Sequence, residues 1–338
     1  MRHEMIDFYL KETGLLDHLK QKNVTEVVVN RPFEIATEGQ DGWQFHDAPN
    51  ASLENLMHLA ATLTTFNKAG MLNEGNPIKS LVLPNGERAQ VVIPPACLEG
   101  TLSLTIRKPS TERFTLNDYL QSGRFSTAKY AKKATAELRE EQRLLKQLFE
   151  AAQTDESQLP VFLQEGVNQR LNFLIVGGTG SGKTTIAKAI ADLFPHDRRI
   201  ITIEDVPEMS LPFHRNCVRL FFKEGGVRPK KLIEAAMRMK PDHIFLAELR
   251  GDEAWSYLEA LNTGHEGSIT TIHANNTYAS FARLASIIKQ SEIGLTLDME
   301  LIRRTIKSSI DIILFFNHTY LTEIYFNPEE KNTLLAGA

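Results

Sequence analysis

The sequence predicts an α/β protein in two unequal parts. Residues 1–112 read as a smaller α+β domain, 113–138 as a linker, and 139–338 as a larger domain on a parallel sheet with helices on both faces. Three observations predict this. From Leu171 onward, short apolar runs alternate with helix-patterned runs, the order that a doubly covered parallel sheet requires. The first hundred residues instead set several strand patterns close together around one helical pattern. Between the two, Pro109 and a polar run break both periodicities, and 338 residues suit about two domains.

Taken in order, residues 25–30 and 33–37 are strand candidates on either side of Arg31-Pro32. Ser52 is a candidate N-cap for a helix whose apolar face is Leu53, Leu56, Met57, Ala60 and Leu63. Residues 81–83 and 88–93 flank Pro84-Asn85-Gly86. Asn-Gly between apolar runs predicts a hairpin, because its turn needs positive φ. Residues 101–107 alternate, with Leu102, Leu104 and Ile106 on one face and Ser103, Thr105 and Arg107 on the other.

A charge-rich helix is expected over residues 128–150, with Ala134, Leu138, Leu145, Leu148 and Phe149 as its stripe. Lys129, Lys132 and Lys133 there read as a solvated face balanced by Glu137, Glu140 and Glu141. In the larger domain, strands are expected at 172–176, 199–203, 243–247 and 268–272. Helices are expected at 184–193, 231–239 and 252–262, with Gly264 closing the last.

Composition excludes some classes. A net charge of −4 gives no electrostatic reason to expect the bare surface to hold nucleic acid. Cys97 and Cys217 form neither a disulfide framework nor a CxxC zinc site, and each reads as a small buried residue. The start lacks the apolar stretch of a signal peptide, and no run approaches 18 uncharged apolar residues. A cytoplasmic protein that does not span a membrane is expected.

Gly177-Gly178-Thr179-Gly180-Ser181-Gly182-Lys183-Thr184 matches G-x-x-x-x-G-K-[ST], after an apolar strand and before a helix. Phosphate chemistry needs these residue types. Glycines let main-chain N–H groups turn inward, and the helix N-terminus adds partial positive charge. Gly178, Thr179, Gly180, Ser181, Gly182, Lys183, Thr184 and Thr185 are the expected phosphate contacts. Lys183 suits the β- and γ-phosphates, and the Thr184 hydroxyl suits Mg²⁺.

Acidic groups are needed to complete such a site. Two strands end in Glu204-Asp205 and in Glu248, and are expected to flank the strand before the loop. A carboxylate at the C-terminal edge of a buried strand lies in the crevice where α/β ligands bind, although each acid alone could be a cap. Residues 268–272 deliver His273-Ala274-Asn275-Asn276 to the same edge, where His273 could bond the γ-phosphate. Arg107 is a candidate cation for the departing charge or, equally, a partner in an ion pair.

Together these pieces resemble the hexameric traffic ATPases of bacterial type IV secretion and conjugation systems. That family lies within the secretion-ATPase group that also drives type II secretion and type IV pili. The resemblance spans nearly the whole chain. It rests on Asn30-Arg31-Pro32-x-Glu34, Gly86-Glu87-Arg88, Thr105-Ile106-Arg107-Lys108-Pro109 and the phosphate loop. It continues through Ile203-Glu204-Asp205 with Glu208, Arg238-Met239-Lys240-Pro241-Asp242, Glu248-Leu249-Arg250-Gly251, Gly264-His265 and Thr271-Ile272-His273-Ala274-Asn275.

The resemblance implies a RecA-like P-loop domain after an α+β domain, binding ATP and Mg²⁺ in a homohexameric ring. The ring would lie at the cytoplasmic face of the inner membrane beside other secretion components. By the same resemblance Glu204 helps polarise the water, Glu248 is the catalytic glutamate, His273 sits near the γ-phosphate, and Arg107 reaches the nucleotide from outside the core domain. Phe33 departs from the family, which often has glycine there. The two lone cysteines depart from the four-cysteine zinc module of the type II and pilus relatives, and favour the type IV branch.

Two other functions fit parts of the pattern. A RecA-like nucleic-acid motor would show DNA-stimulated, salt-sensitive hydrolysis. A nucleotide-gated docking protein would bind ATP without releasing phosphate, and Glu204, Glu248 and His273 argue against it.

Overall fold

A computed structural model describes residues 2–110, 113–128 and 135–337. The first part opens with α1 (Arg2–Glu12) and α2 (Leu15–Lys20). Strands β1 (Val24–Val29), β2 (Glu34–Gly39) and β3 (Gly42–Asp47) follow, then α3 (Leu53–Phe66), β4 (Ile78–Val82), β5 (Arg88–Val92) and β6 (Ser103–Arg107). All six strands pair antiparallel in the order β3-β2-β1-β6-β5-β4. Ser52 caps α3 as expected, its hydroxyl accepting from the Asn55 N–H at 3.2 Å. The Asn-Gly hairpin is present, with Gly86 at φ 93°. Phe33, where the family often has glycine, takes that left-handed conformation at φ 66°.

The alternation in β6 has a cause on each face. Leu104 and Ile106 enter the core with Ile6, Leu10, Leu56 and Leu63 of α1 and α3. Ser103 and Thr105 on the other face are equally buried, because the second domain lies against them. Between the domains runs an exposed segment holding α4 (Leu116–Gln121), none of whose residues is buried.

The second domain opens with α5 (Glu140–Thr154) and α6 (Leu159–Asn168). The helix expected from residue 128 begins only at Glu140, where Gln142 Oε1 accepts from the Arg139 N–H and closes the first turn. Lys129, Lys132, Lys133 and Ala134 lie outside the described residues. Next come β7 (Phe173–Gly177), α7 (Lys183–Ala191), β8 (Ile200–Glu204), β9 (Cys217–Phe221), α8 (Pro229–Ala236), β10 (His243–Leu246), α9 (Glu253–Leu261) and β11 (Ile269–Ile272). The chain ends with α10 (Thr277–Gln290), α11 (Glu292–Thr296), α12 (Met299–Ser309), β12 (Ile312–Asn317), β13 (Tyr320–Phe326) and α13 (Pro328–Ala336).

Seven strands order as β13-β12-β7-β11-β10-β8-β9, parallel except for β13. This corrects one expectation. Strands β8 and β10 do not flank β7; β11 lies between β7 and β10, and β12 covers the other side. The chain leaves β7, crosses to β8 and β9, and returns through β10, so that β11 fills the gap between β10 and β7.

The domains meet at the N-terminal ends of β8 and β10. Arg199, 0% exposed, donates to Asn30 Oδ1 at 2.8 Å, Thr105 Oγ1 at 3.2 Å and Met239 O at 2.8 Å. It also donates to Asn216 Oδ1 and lies over the Trp43 ring. Arg238 donates to Ser80 Oγ, and Lys240 pairs with Glu38. The core is continuous here too, with Ile78, Val92, Ala96 and Cys97 packed among residues of the second domain.

Candidate active site

Strand β7 is wholly buried and delivers the glycine-rich loop to the C-terminal edge of the sheet. Gly180 and Gly182 adopt φ 72° and 81°, which a side chain resists. A Cβ on Gly177 would lie 2.4 Å from Ser181 Oγ and 2.6 Å from Phe316 O, so the loop closes only over glycine. Gly178, Thr179 and Gly180 are exposed at its rim, and Thr185 is exposed on the first turn of α7. The Ser181 hydroxyl donates back to Gly178 O at 2.9 Å.

Lys183 folds over this loop. Its ammonium donates to Gly177 O at 3.0 Å and Gly178 O at 2.8 Å, and among the described residues no carboxylate pairs with it. Burial lowers its pKa, opposed by the charge of Glu248 and reinforced by that of Arg250. A bound phosphate would supply the negative charge that the site lacks. The loop therefore fits a polyphosphate: main-chain N–H groups, a helix N-terminus and one under-compensated cation converge on it.

Thr184 shares a small cavity with Glu204, Asp205, Glu208 and Thr271. Hard oxygen donors beside the cradle are the set that Mg²⁺ favours. Glu204 itself is 1% exposed and fully engaged. Oε1 accepts from Thr202 Oγ1 at 2.6 Å and Arg219 Nε at 3.1 Å. Oε2 accepts from the N–H groups of Glu208 and Met209 at 2.9 and 2.7 Å, and from Arg219 Nη2 at 3.2 Å. A carboxylate so saturated shapes the 205–209 loop rather than facing a water molecule.

Glu248 stands just past β10 and is only partly covered. Arg250 Nη2 donates to its Oε2 at 2.7 Å, and His273 Nε2 lies 3.2 Å from its Oε1. Arg250 Nη1 reaches across to Asp205 Oδ2 at 2.8 Å. The hydrogen bond to Glu248, with the charges of Glu248 and Asp205, raises the Arg250 pKa above its already high value. His273 is held from behind: Glu323 of β13 accepts from the Thr277 N–H and hydroxyl at 3.0 Å each, fixing the start of α10. Four strand ends thus bring Lys183, Asp205, Glu248, Arg250 and His273 to one edge.

Arg107 is not among them. Its guanidinium, 67% exposed, pairs with Glu26 at 3.5 Å. Burial raises the Glu26 pKa, opposed by Arg107, with Lys240 and Arg199 also acting on it. Those two belong to the N-terminal edge of the parallel strands, while the loop leaves the C-terminal edge. Five residues of β8 separate the edges by about 16 Å. Arg124, which no motif anchors, lies over Phe114 and Tyr119.

Arg219, Glu253 and Glu323 escaped the sequence reading, and Arg250 entered it only within the run Glu248-Leu249-Arg250-Gly251, with no role. Arg250 alone had a signal, two residues after Glu248. The other three depend on which strands become neighbours. Burial pushes the Cys97 thiol up to about 11 and the Cys217 thiol up to about 12, which disfavours the reactive thiolate in both; Cys97 is buried as expected, whereas Cys217 is half-buried.

The profile of the family described as "Type II/IV secretion system protein" matches residues 101–316. The chain is 39% identical over 333 residues to the type IV secretion system protein VirB11 of Bartonella henselae, covering 94% of this chain and 92% of that protein. It is 36% identical over 347 residues to VirB11 of Brucella suis, covering 98% and 93%. Among solved structures, the VirB11 ATPase from the Brucella suis type IV secretion system, in complex with sulphate, superposes with a TM-score of 0.91. That pair shares 37% identity, covering 98% of this chain and 97% of that one. The superposition carries the two-domain α/β fold, with its RecA-like second domain, that the sequence predicts.

Proposed function

The chain belongs to the type II/IV secretion system protein family and is an ATPase of type IV secretion, and on that premise we propose how it works. It binds Mg–ATP at Gly178–Thr185 and hydrolyses the terminal phosphoanhydride. The energy drives domain movement in a homohexameric ring that serves pilus assembly or substrate transfer. The ring works at the cytoplasmic face of the inner membrane, beside other components of the system. Among the described residues no helix is long and apolar enough to cross a membrane.

The observation that carries this reading is the common edge. An under-compensated Lys183, a cavity at Thr184 and a Glu248–His273 pair meet where a triphosphate on the loop would end. Main-chain N–H groups of 178–184 and the Lys183 ammonium bind the phosphates. Mg²⁺, held at Thr184, would screen their charge. Glu248 takes the proton of the attacking water, and His273 orients against it at the γ-phosphate. Glu204 contributes by fixing the loop that presents Asp205.

Arg107 then serves a different copy of the chain. It pairs with Glu26 rather than with any group of its own loop, and is exposed on a domain that the ring would place beside a neighbour. An arginine supplied in this way is worth about 10³–10⁵ in turnover. Loss of the γ-phosphate removes its differential contact and lets the domain move.

The experiment is subunit mixing. Arg107→Ala and Lys183→Ala proteins should each hydrolyse ATP poorly. An equal mixture should form intact sites at about a quarter of positions, because each site needs one good loop and one good neighbour. Turnover that stays at the level of the separate variants, in rings shown by sizing to be mixed, would contradict supply from a neighbouring copy, and parent-level turnover in Arg107→Ala alone would put Arg107 out of the reaction.

A further inference from the structure

Both oxygens of the carboxylate proposed as general base are engaged, and one partner is a permanent cation. Arg250 pairs with Glu248 on one side and with Asp205 on the other, tying the ends of β10 and β8 together. With the guanidinium on Oε2 and His273 at Oε1, neither oxygen stands open to a water. The arrangement opposes the role that hydrolysis asks of Glu248. Something must draw the guanidinium away.

The side chain is built for such a move. Its main chain is fixed: Glu253, 3% exposed at the first turn of α9, accepts from the N–H groups of Arg250 and Gly251 at 2.7 and 2.9 Å. Its head is held by these two ion pairs alone among the described residues, with the side chain 57% exposed against 36% for Asp205 and 14% for Glu248. Pairs this exposed are readily exchanged. The planar fork that fits two carboxylates fits a phosphate equally well, and a terminal phosphate carries more charge than either. The guanidinium also acts on the Lys183 ammonium, which places it within electrostatic reach of the cradle.

We propose that Arg250 reads the terminal phosphate of the bound nucleotide, leaving Asp205 and Glu248 for it and so freeing Glu248 to act on water only when a triphosphate is present. The proposal rests on the reading of the loop as an ATP site. With a diphosphate the guanidinium stays on its carboxylates and Glu248 stays idle. A ligand shifts such an equilibrium only through differential affinity, and the γ-phosphate is the part that differs.

Equilibrium titrations with Mg–ATPγS and Mg–ADP on the full chain test it, using Arg250→Gln and Arg250→Lys beside the parent. Arg250→Gln should weaken ATPγS roughly tenfold while ADP holds within about twofold, since one charge-assisted contact is lost from the triphosphate alone. Arg250→Lys, charged but without the fork, should recover part of that loss. Equal weakening of both nucleotides would make Arg250 a structural tie, and unchanged affinities would leave it no part; either result overturns the proposal. A parent chain that binds neither nucleotide would instead overturn the ATP-site reading beneath it.

Discussion

Replacing Glu248 with glutamine should lower kcat for ATP hydrolysis by roughly 10²–10⁴-fold, the range a positioned general base contributes, while Mg–ATP affinity holds or rises. The amide keeps the shape of the carboxylate and fills the same space beside His273 and Arg250. It can no longer take a proton from water. Removing one negative charge also leaves Lys183 and Arg250 less occupied, and both then favour the phosphates. Opposite effects on turnover and affinity mark a group that acts in the transition state rather than in binding. Steady-state phosphate release with a parallel ATPγS titration reads both quantities. A kcat within about threefold of the parent would remove Glu248 from the chemistry.

Replacing Arg199 with methionine should destabilise the protein by about 3 kcal/mol, the sum of several buried acceptors losing their donor. Methionine restores much of the apolar stem but none of the hydrogen bonds. Met239 O is left facing it, and the first domain loses the Arg199 contacts at Asn30 Oδ1 and Thr105 Oγ1, although Asn30 Nδ2 still donates to Asn216 Oδ1 at 3.0 Å. Relief from burying a cation works the other way. Burial lowers the Arg199 pKa to about 10, which leaves it charged at neutral pH. The unsatisfied acceptors win, because only one member of the network is removed. Arg199→Lys should be nearly as damaging, since one ammonium cannot reach acceptors on both sides of the seam. A urea midpoint followed by circular dichroism checks this, and a midpoint equal to the parent's contradicts it.

The parts legible in the sequence are those whose chemistry is local. The loop's glycines, Lys183 and Thr184 follow one another in the chain, because on the proposed reading one turn of main chain and one helix start would hold the phosphates. Strands β7, β8 and β10 are buried on both faces and so read as largely apolar runs, and β11, Ile269-Thr270-Thr271-Ile272, reads as a β-branched one. Strand β9 was missed because Arg219 interrupts it; that arginine is there to grip Glu204, a reason visible only once β8 and β9 are adjacent. One face of β6 is polar in sequence, with Ser103 and Thr105 on it. It is buried, because Thr105 receives Arg199 from 94 residues away in sequence.

The same distinction divides the site. Glu248 and His273 stood out as strand-end residues, whereas the placement of Arg107 follows from how the two domains dock. Arg250 carries its role only if Asp205 comes within reach, and that depends on β8 lying next to β10. Strand order, unlike strand content, is set by crossovers that no local pattern encodes.

The central claim is that the loop between β7 and α7 is a triphosphate cradle whose decisive cation is Lys183. Calorimetric titration of the folded chain with Mg–ATPγS, beside Lys183→Ala, tests it most directly. The account predicts saturable heat at one site per chain and at least about tenfold weaker binding in the variant, as the loss of a charge-assisted phosphate contact requires. No heat from the folded parent, or equal affinity in the two proteins, would contradict it.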